Sequence, residues 1–208
     1  MNASYDEHRN LVGEEIGDDF STLPPGSWHS HKWSGIALAP NGKLYCAPFT
    51  ASKVLRIDPA TNATELIGDV LERPASNYTR FSGITAAADG KLYCSPNRAS
   101  MGATRVLCID PATSATEFIS VNSLGSNGGC ELWSGIAAAV DGKLYCSPQD
   151  ALHVLRIDPA TGSTEQISDV PNEGGGDAWS GIAAGKDGTL YCSPMGATRV
   201  LRISKCAK

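Results

Sequence analysis

Trp133-Ser-Gly-Ile-Ala-Ala-Ala-Val-Asp-Gly-Lys-Leu-Tyr-Cys-Ser-Pro148 is one of four near-copies within a single chain. The others open at Trp33-Ser-Gly-Ile-Ala, Phe81-Ser-Gly-Ile-Thr and Trp179-Ser-Gly-Ile-Ala, so successive copies start 48, 52 and 46 residues apart. Each continues into a D/N-G pair (Asn41-Gly42, Asp89-Gly90, Asp141-Gly142, Asp187-Gly188), then Leu-Tyr-Cys-(Ala/Ser)-Pro, then Val-Leu-(Arg/Cys)-Ile. Three copies run on through Asp-Pro-Ala-Thr to Thr-Glu; the fourth ends in Ile203-Ser-Lys-Cys-Ala-Lys208.

In one copy the pattern reads as four short strands. Gly35–Ala39 leads into a D/N-G turn, the strongest short-range hairpin signal. Lys43–Pro48 and Val54–Asp58 carry the Leu, Tyr and β-branched residues that favour a pleated surface. Asp58-Pro59-Ala60-Thr61 supplies a second turn, because proline presets φ and the aspartate side chain can bond its own backbone. Thr64–Ile67 is the fourth strand. No ten-residue stretch has helical periodicity, so the chain is expected to be all-β.

Units of this size with four strands are the signature of β-propeller blades. The expectation is a four-bladed propeller of four-stranded antiparallel blades, forming one domain over residues 1–208. Within it, 1–10 is a polar tail and the blades cover about 33–70, 81–121, 133–170 and 179–203. The last blade lacks its outer strand, while Glu14-Glu15-Ile16-Gly17-Asp18 aligns with Glu65-Leu66-Ile67-Gly68-Asp69. Residues 11–19 are therefore expected to close the ring as that strand, hiding an edge that would otherwise invite aggregation. Strand register pairs Arg56 with Glu65 and Arg156 with Glu165, and alignment adds Arg202 with Glu14. Cys108 replaces the arginine in the second copy.

Composition fits a folded domain: 208 residues, 41% apolar and 19% charged, with a mean hydropathy of −0.16. Disorder would need fewer apolar groups and more net charge. No apolar run approaches the roughly 18 residues of a membrane helix, so no membrane partner is expected. A net charge of −5 argues against nucleic acid, whose phosphates need a basic face. Seven cysteines with no CxxC spacing suggest neither a redox motif nor a zinc site. The polar start lacks a secretory h-region, so the expected location is cytoplasmic or otherwise intracellular, with a longer secreted parent as the alternative.

The string Gly135 to Glu165 resembles blades of the virginiamycin B lyase, gluconolactonase and NHL propellers. Those families use six or seven blades, with metal-ligating Glu, Asn and Asp or a catalytic His near the axis. Here Ser34, Ser82, Ser134 and Ser180 stand at the corresponding strand starts, so no catalytic residue carries over. The repeats are also similar to tachylectin-2-type lectins, which implies repeated sugar sites. Closure by an N-terminal outer strand resembles hemopexin-like domains, which implies an ion in the tunnel.

Candidate site residues follow from the blade layout. The four serines would ring the tunnel mouth, where they could hold water, an ion or a polar ligand; the alternative is a turn residue bonding its own backbone. No other cofactor is expected. The connections at one end of the blades differ most between copies (24–32, 72–80, 122–132 and 171–178), and loops on a rigid scaffold carry binding groups. They contribute Trp28, His29, His31, Tyr78, Arg80, Glu131 and Asp177, joined by Asn97 and Arg98 after the second strand of copy two. His29 and His31 with Glu131 or Asp177 have the donor chemistry of a metal site, although exposed loop groups are the plainer reading. Cys46, Cys94, Cys146 and Cys192 occupy equivalent strand positions, too far apart for a tetrathiolate, and read as small buried hydrophobes.

The leading functional expectation is a non-enzymatic propeller that binds a small ligand, a sugar or a protein through its variable loop face or tunnel. One alternative is a metal-dependent lyase or lactonase with a site at the tunnel mouth. Another is a repeat-amplified or designed scaffold without a dedicated site. The chain is expected to be a monomer, with two chains joined as an eight-bladed ring as the alternative.

Overall fold

A computed structural model describes residues 13–21, 23, 31–71, 81–97, 104–121, 131–170 and 176–204. Among them there is no helix, and fifteen strands form four antiparallel sheets, one per sequence copy. Blade 1 holds β1 (Trp33–Leu38), β2 (Leu44–Pro48), β3 (Val54–Asp58) and β4 (Ala63–Ile67). Blade 2 holds β5 (Phe81–Ala86), β6 (Leu92–Pro96), β7 (Thr104–Ile109) and β8 (Thr116–Val121). Blade 3 holds β9 (Trp133–Ala138), β10 (Leu144–Pro148), β11 (His153–Asp158) and β12 (Ser163–Asp169). Blade 4 holds β13 (Trp179–Ala184), β14 (Leu190–Pro194) and β15 (Leu201–Ile203). Strand order within each sheet follows chain order, as short hairpin connections require.

Local chemistry accounts for the hairpins. In blade 1 the first turn spans three residues. Gly42 donates its N–H to the Ala39 carbonyl while Ala39 donates to Lys43. Gly42 sits at φ 78°, with Gly90, Gly142 and Gly188 equivalent at 83°, 76° and 79°, a conformation glycine adopts without steric cost. The Asn or Asp before it accepts from the backbone two residues on and, in blades 1 to 3, bonds the Tyr hydroxyl four residues on, as in Tyr93–Asp89 at 2.7 Å. The outer register is as expected: Arg56 stands opposite Glu65 and Arg156 opposite Glu165, and both pairs are joined by ion pairs. Glu117, opposite Cys108, takes Lys91 instead at 2.8 Å. These pairs are exposed and fix register more than stability.

Consecutive blades pack face to face, with β1 on β5, β5 on β9 and β9 on β13. The side of each sheet that points forward along the chain supplies Tyr45, Val54 and Ile67 in blade 1. They meet Phe81, Ile84, Leu92, Cys94 and Leu107 on the backward side of blade 2. The next two junctions repeat this with Tyr93, Val106 and Cys108 against Trp133, Ile136 and Leu155, then Tyr145 and Val154 against Trp179, Ile182 and Cys192. Trp133 and Trp179 thus wedge between blades, and they and Trp33 each donate the indole N–H at 2.9 Å to a carbonyl twenty residues on.

Two features of the ring depart from expectation. Residues 13–19 form no strand, and the sheet of blade 4 has three strands among the described residues. The N-terminal segment instead lies against the blade it precedes. Asp18 donates its N–H to Thr64 Oγ1 at 2.9 Å, and Gly17, at φ 81°, rests on the Thr64 side chain. Arg202 faces Tyr191 across β14 and makes no ion pair with Glu14 among the described residues. In addition, β13 makes no packing with β1 comparable to the other three junctions. The four described blades therefore form an arc.

The innermost strands approach so closely that only glycine fits. A methyl group on Gly83 would stand 2.9 Å from the Ser134 carbonyl, and one on Gly135 would stand 2.7 Å from that of Ser180. Gly135→Ala is expected to destabilise the chain by about 1–3 kcal/mol, the usual cost of overpacking against backbone. An unchanged urea midpoint would contradict this.

The equivalent cysteines are buried as expected, along with Cys108. Burial pushes the Cys46 and Cys108 thiols up to about 11 and Cys192 to about 12, and raises Cys94 and Cys146 further. Because the folded thiols ionise later than unfolded ones, stability is whole below about pH 9 and falls as pH climbs through these raised values. Melting temperature should therefore drop steadily between about pH 9 and 11, and serine at Cys46 and Cys192 should flatten the slope.

Candidate functional site

In blades 1, 3 and 4 the residues after the second strand meet those just ahead of the inner strand at one end of the molecule. Carbonyls just ahead of the inner strands β1, β9 and β13 hold them there. Lys32 O accepts from the N–H groups of Phe49, Thr50 and Ala51; Leu132 O accepts from Gln149 and Ala151; Ala178 O accepts from Met195 and Ala197. Neighbouring blades are tied at the same level, where Leu132 N donates to Asn97 O and Ala178 N donates to Gln149 O. A loop residue at this end thus has a fixed address despite its irregular backbone.

At the junction of blades 3 and 4 this framework brings polar side chains together. The Gln149 side-chain nitrogen donates to Glu131 Oε2 and to Asp177 Oδ1, each at 2.6 Å. The Asp150 carboxylate accepts from the backbone of Glu131 at 2.9 Å and of Asp177 at 2.7 Å. Gln149 and Asp150 are buried, Glu131 is half-buried and Asp177 is exposed. Asp177 has φ 62°, a left-handed conformation that aspartate tolerates better than most residues. Beside it, Gly176 lies so close to Asp150 that a methyl group there would fall 2.6 Å from Oδ1. One amide therefore holds two carboxylates on a single side chain.

Of the residues singled out in the sequence, Glu131 and Asp177 are the two brought together here. Asn97 holds the corresponding place one junction earlier, buried, with its amide toward the Trp133 carbonyl. His31 is exposed; its carbonyl accepts from Thr50 and its ring lies 6.3 Å from that of Phe49. Trp28, His29, Tyr78, Arg80 and Arg98 lie outside the described residues. Among the described residues no three metal-ligating side chains cluster.

The serines are half-buried and serve the junctions. Ser82 and Ser134 hydroxyls stand 3.3 Å apart. The Ser134 and Ser180 carbonyls accept from Ser95 and Ser147 of the preceding blade. The Ser180 hydroxyl meets Ser193 of its own blade at 3.4 Å. Ser34 and Ser180 stand at opposite ends of the arc.

Sequence reasoning passed over Gln149 and Asp150. The signal was present: the pair after the second strand reads Phe49-Thr50, Asn97-Arg98, Gln149-Asp150 and Met195-Gly196, abrupt variation following nearly invariant Leu-Tyr-Cys-(Ala/Ser)-Pro.

No protein-family model matches the sequence, and no curated protein matches it. Solved structures do. Virginiamycin B lyase from Staphylococcus aureus superposes with a TM-score of 0.67 at 19% identity, over 85% of this chain and 54% of its own. The fold is that of a β-propeller. A streptogramin B lyase (TM-score 0.65, 17% identity, 86% of this chain and 53% of that one) and a putative gluconolactonase (0.56, 17%, 82% and 60%) agree. The chain spans about half the length of the lyases, and at these identities the likeness concerns the propeller architecture alone.

Asp150→Ala would leave the Glu131 and Asp177 N–H groups without their acceptor. The expected loss is about 1–3 kcal/mol, with faster hydrogen exchange at these two amides. Exchange unchanged at both would refute this role for Asp150.

Proposed function

We propose that this propeller is a non-enzymatic binding module whose loop end takes a small ligand rich in hydrogen-bond donors, such as a sugar, at the junction of blades 3 and 4. The observation that carries this reading is the pair of carboxylates, Glu131 and Asp177, held on one Gln149 amide. Their outer lone pairs form an acceptor surface, and the rigid junction beneath has already met the ordering cost of placing them. Hydroxyl or ammonium donors fit such a surface, and an anionic ligand does not. The net charge of −5 points the same way. Supporting it further, the loop residues around this pair are those in which the four copies differ, while the blade residues stay constant.

A thermal-shift screen of the chain against sugars, lactones, amines and divalent cations tests the proposal. At least one sugar or amine should raise the melting temperature. Glu131→Gln with Asp177→Asn should weaken that ligand by about tenfold or more, since hydrogen bonds to charged groups contribute about 1.5–3 kcal/mol each. A response to lactones with turnover would favour the enzyme reading. No response from any compound, or one indifferent to the double variant, would overturn the proposal.

A further inference from the structure

The arc ends in two unlike faces, and the three junctions inside it show what each is built to meet. At those junctions a glycine of the inner strand lies on the next blade: Gly35 faces Ser82 O, Gly83 faces Ser134 O and Gly135 faces Ser180 O. The fourth, Gly181, meets only the Ser193 hydroxyl of its own blade. Side chains follow suit. Tyr191 is 43% exposed where its equivalent Tyr93 is 2%, and Val200 is 59% exposed where Val154 is 0%. At the other end Ile36 is 56% exposed where Ile136 is 8%, and Leu38 is exposed beside it.

The N-terminal segment supplies a second, independent observation. Between blades, the segment that ends one outer strand rests on the threonine of the next: Asp69 N bonds Thr116 Oγ1 at 3.3 Å, with Gly68 over the same side chain. Asp18 N and Gly17 stand in that relation to Thr64. Phe20 also caps Trp33, with ring centroids 5.0 Å apart. Residues 14–18 therefore sit, relative to blade 1, where the outer strand of a preceding blade would sit. Meanwhile the outer edge of β15 has no strand beside it among the described residues.

We propose that the forward face of blade 4 receives the backward face of blade 1 from a second copy of this chain, whose residues 14–18 line the edge of β15, so that two arcs close one eight-bladed ring. Each half of the contact is already made three times within the chain, with Gly181 taking the Ser34 carbonyl and Tyr191 and Val200 covering Ile36 and Leu38. Arg202 then meets Glu14 of the second copy, in the register of Arg56 with Glu65. The chain's own blade 1 is a poorer occupant. Backbone contacts at Gly83 and Gly135 fix the angle between blades, and at that angle β13 and β1 remain apart. Head-to-tail contacts that close after two copies give a discrete dimer rather than a fibre.

Light scattering on the purified 208-residue chain tests this. The expected mass is twice 21.8 kDa. Gly181→Val, whose side chain meets only a movable hydroxyl within the chain, should raise the dissociation constant by about 10–100-fold through overpacking at the contact. Ile36→Asp, on the opposite face and already exposed, should do the same, and both variants should keep the native circular dichroism spectrum. If Gly181→Val fails to fold, Ile36→Asp decides. A monomer at every concentration, which self-closure or the blades of a longer chain would produce, overturns the proposal. So does a larger assembly, or a dimer indifferent to both substitutions.

Discussion

The governing constraint in this molecule is the approach of one inner strand's glycine to the backbone of the next inner strand. At Gly83 and Gly135 the neighbouring carbonyl and amide leave no room for a methyl group. Backbone cannot rotate away as a side chain can, so this contact sets both the distance and the angle between blades. Everything farther out is consistent with that setting. Tyr93 and Tyr145 reach across the resulting gap and end on Asp89 and Asp141 of their own hairpins, while leucine, isoleucine and cysteine fill the opposite side. Small residues along the inner strands are needed for the same reason. They keep the inner edge narrow along the part of each strand that follows its tryptophan or phenylalanine.

Much of this could be read from the chain because each copy repeats its own evidence. The D/N-G pair specified a hairpin four times. Spacing gave the outer register correctly to the residue, Arg56 opposite Glu65 and Arg156 opposite Glu165. The alternation Leu-Tyr-Cys-Ser placed tyrosine on one face and cysteine on the other. What failed was inference about the ends. Alignment of residues 14–18 with 65–69 was sound, and the structure gives both segments the same relation to the blade that follows. The added step, that the segment must join the last blade of its own chain, assumed that four blades curve far enough to meet. Curvature is a property of packing angles, and a repeat pattern carries no record of the angle between repeats.

The site was legible only in part, for the opposite reason. Glu131 and Asp177 stood out because they break the repeat, but nothing in their spacing, 46 residues, says that one glutamine holds both. That depends on the Gln149 backbone, whose N–H donates to the Leu132 carbonyl and whose carbonyl accepts from the Ala178 N–H. Asn97 shows how far the same address can differ in use. One junction earlier its amide turns to a backbone carbonyl and is buried. Identical scaffolding thus presents a different group at each junction.

These two lessons meet in how a repeat architecture divides its tasks. Residues that must satisfy a neighbouring blade are bound by the same geometry at three successive junctions, so they stay constant and describe only the fold. Residues at the loop end answer to whatever lies outside, and each is released from the pattern separately. A polar cluster that arises at one junction and at none of the other described ones therefore reflects a demand from outside the repeat. The Glu131–Gln149–Asp177 arrangement has this character, since buried Gln149 and Asp150 devote their hydrogen bonds to presenting Glu131 and Asp177 at the surface. Core stability alone would be served as well by apolar residues of similar volume, which leave no buried polar groups to satisfy.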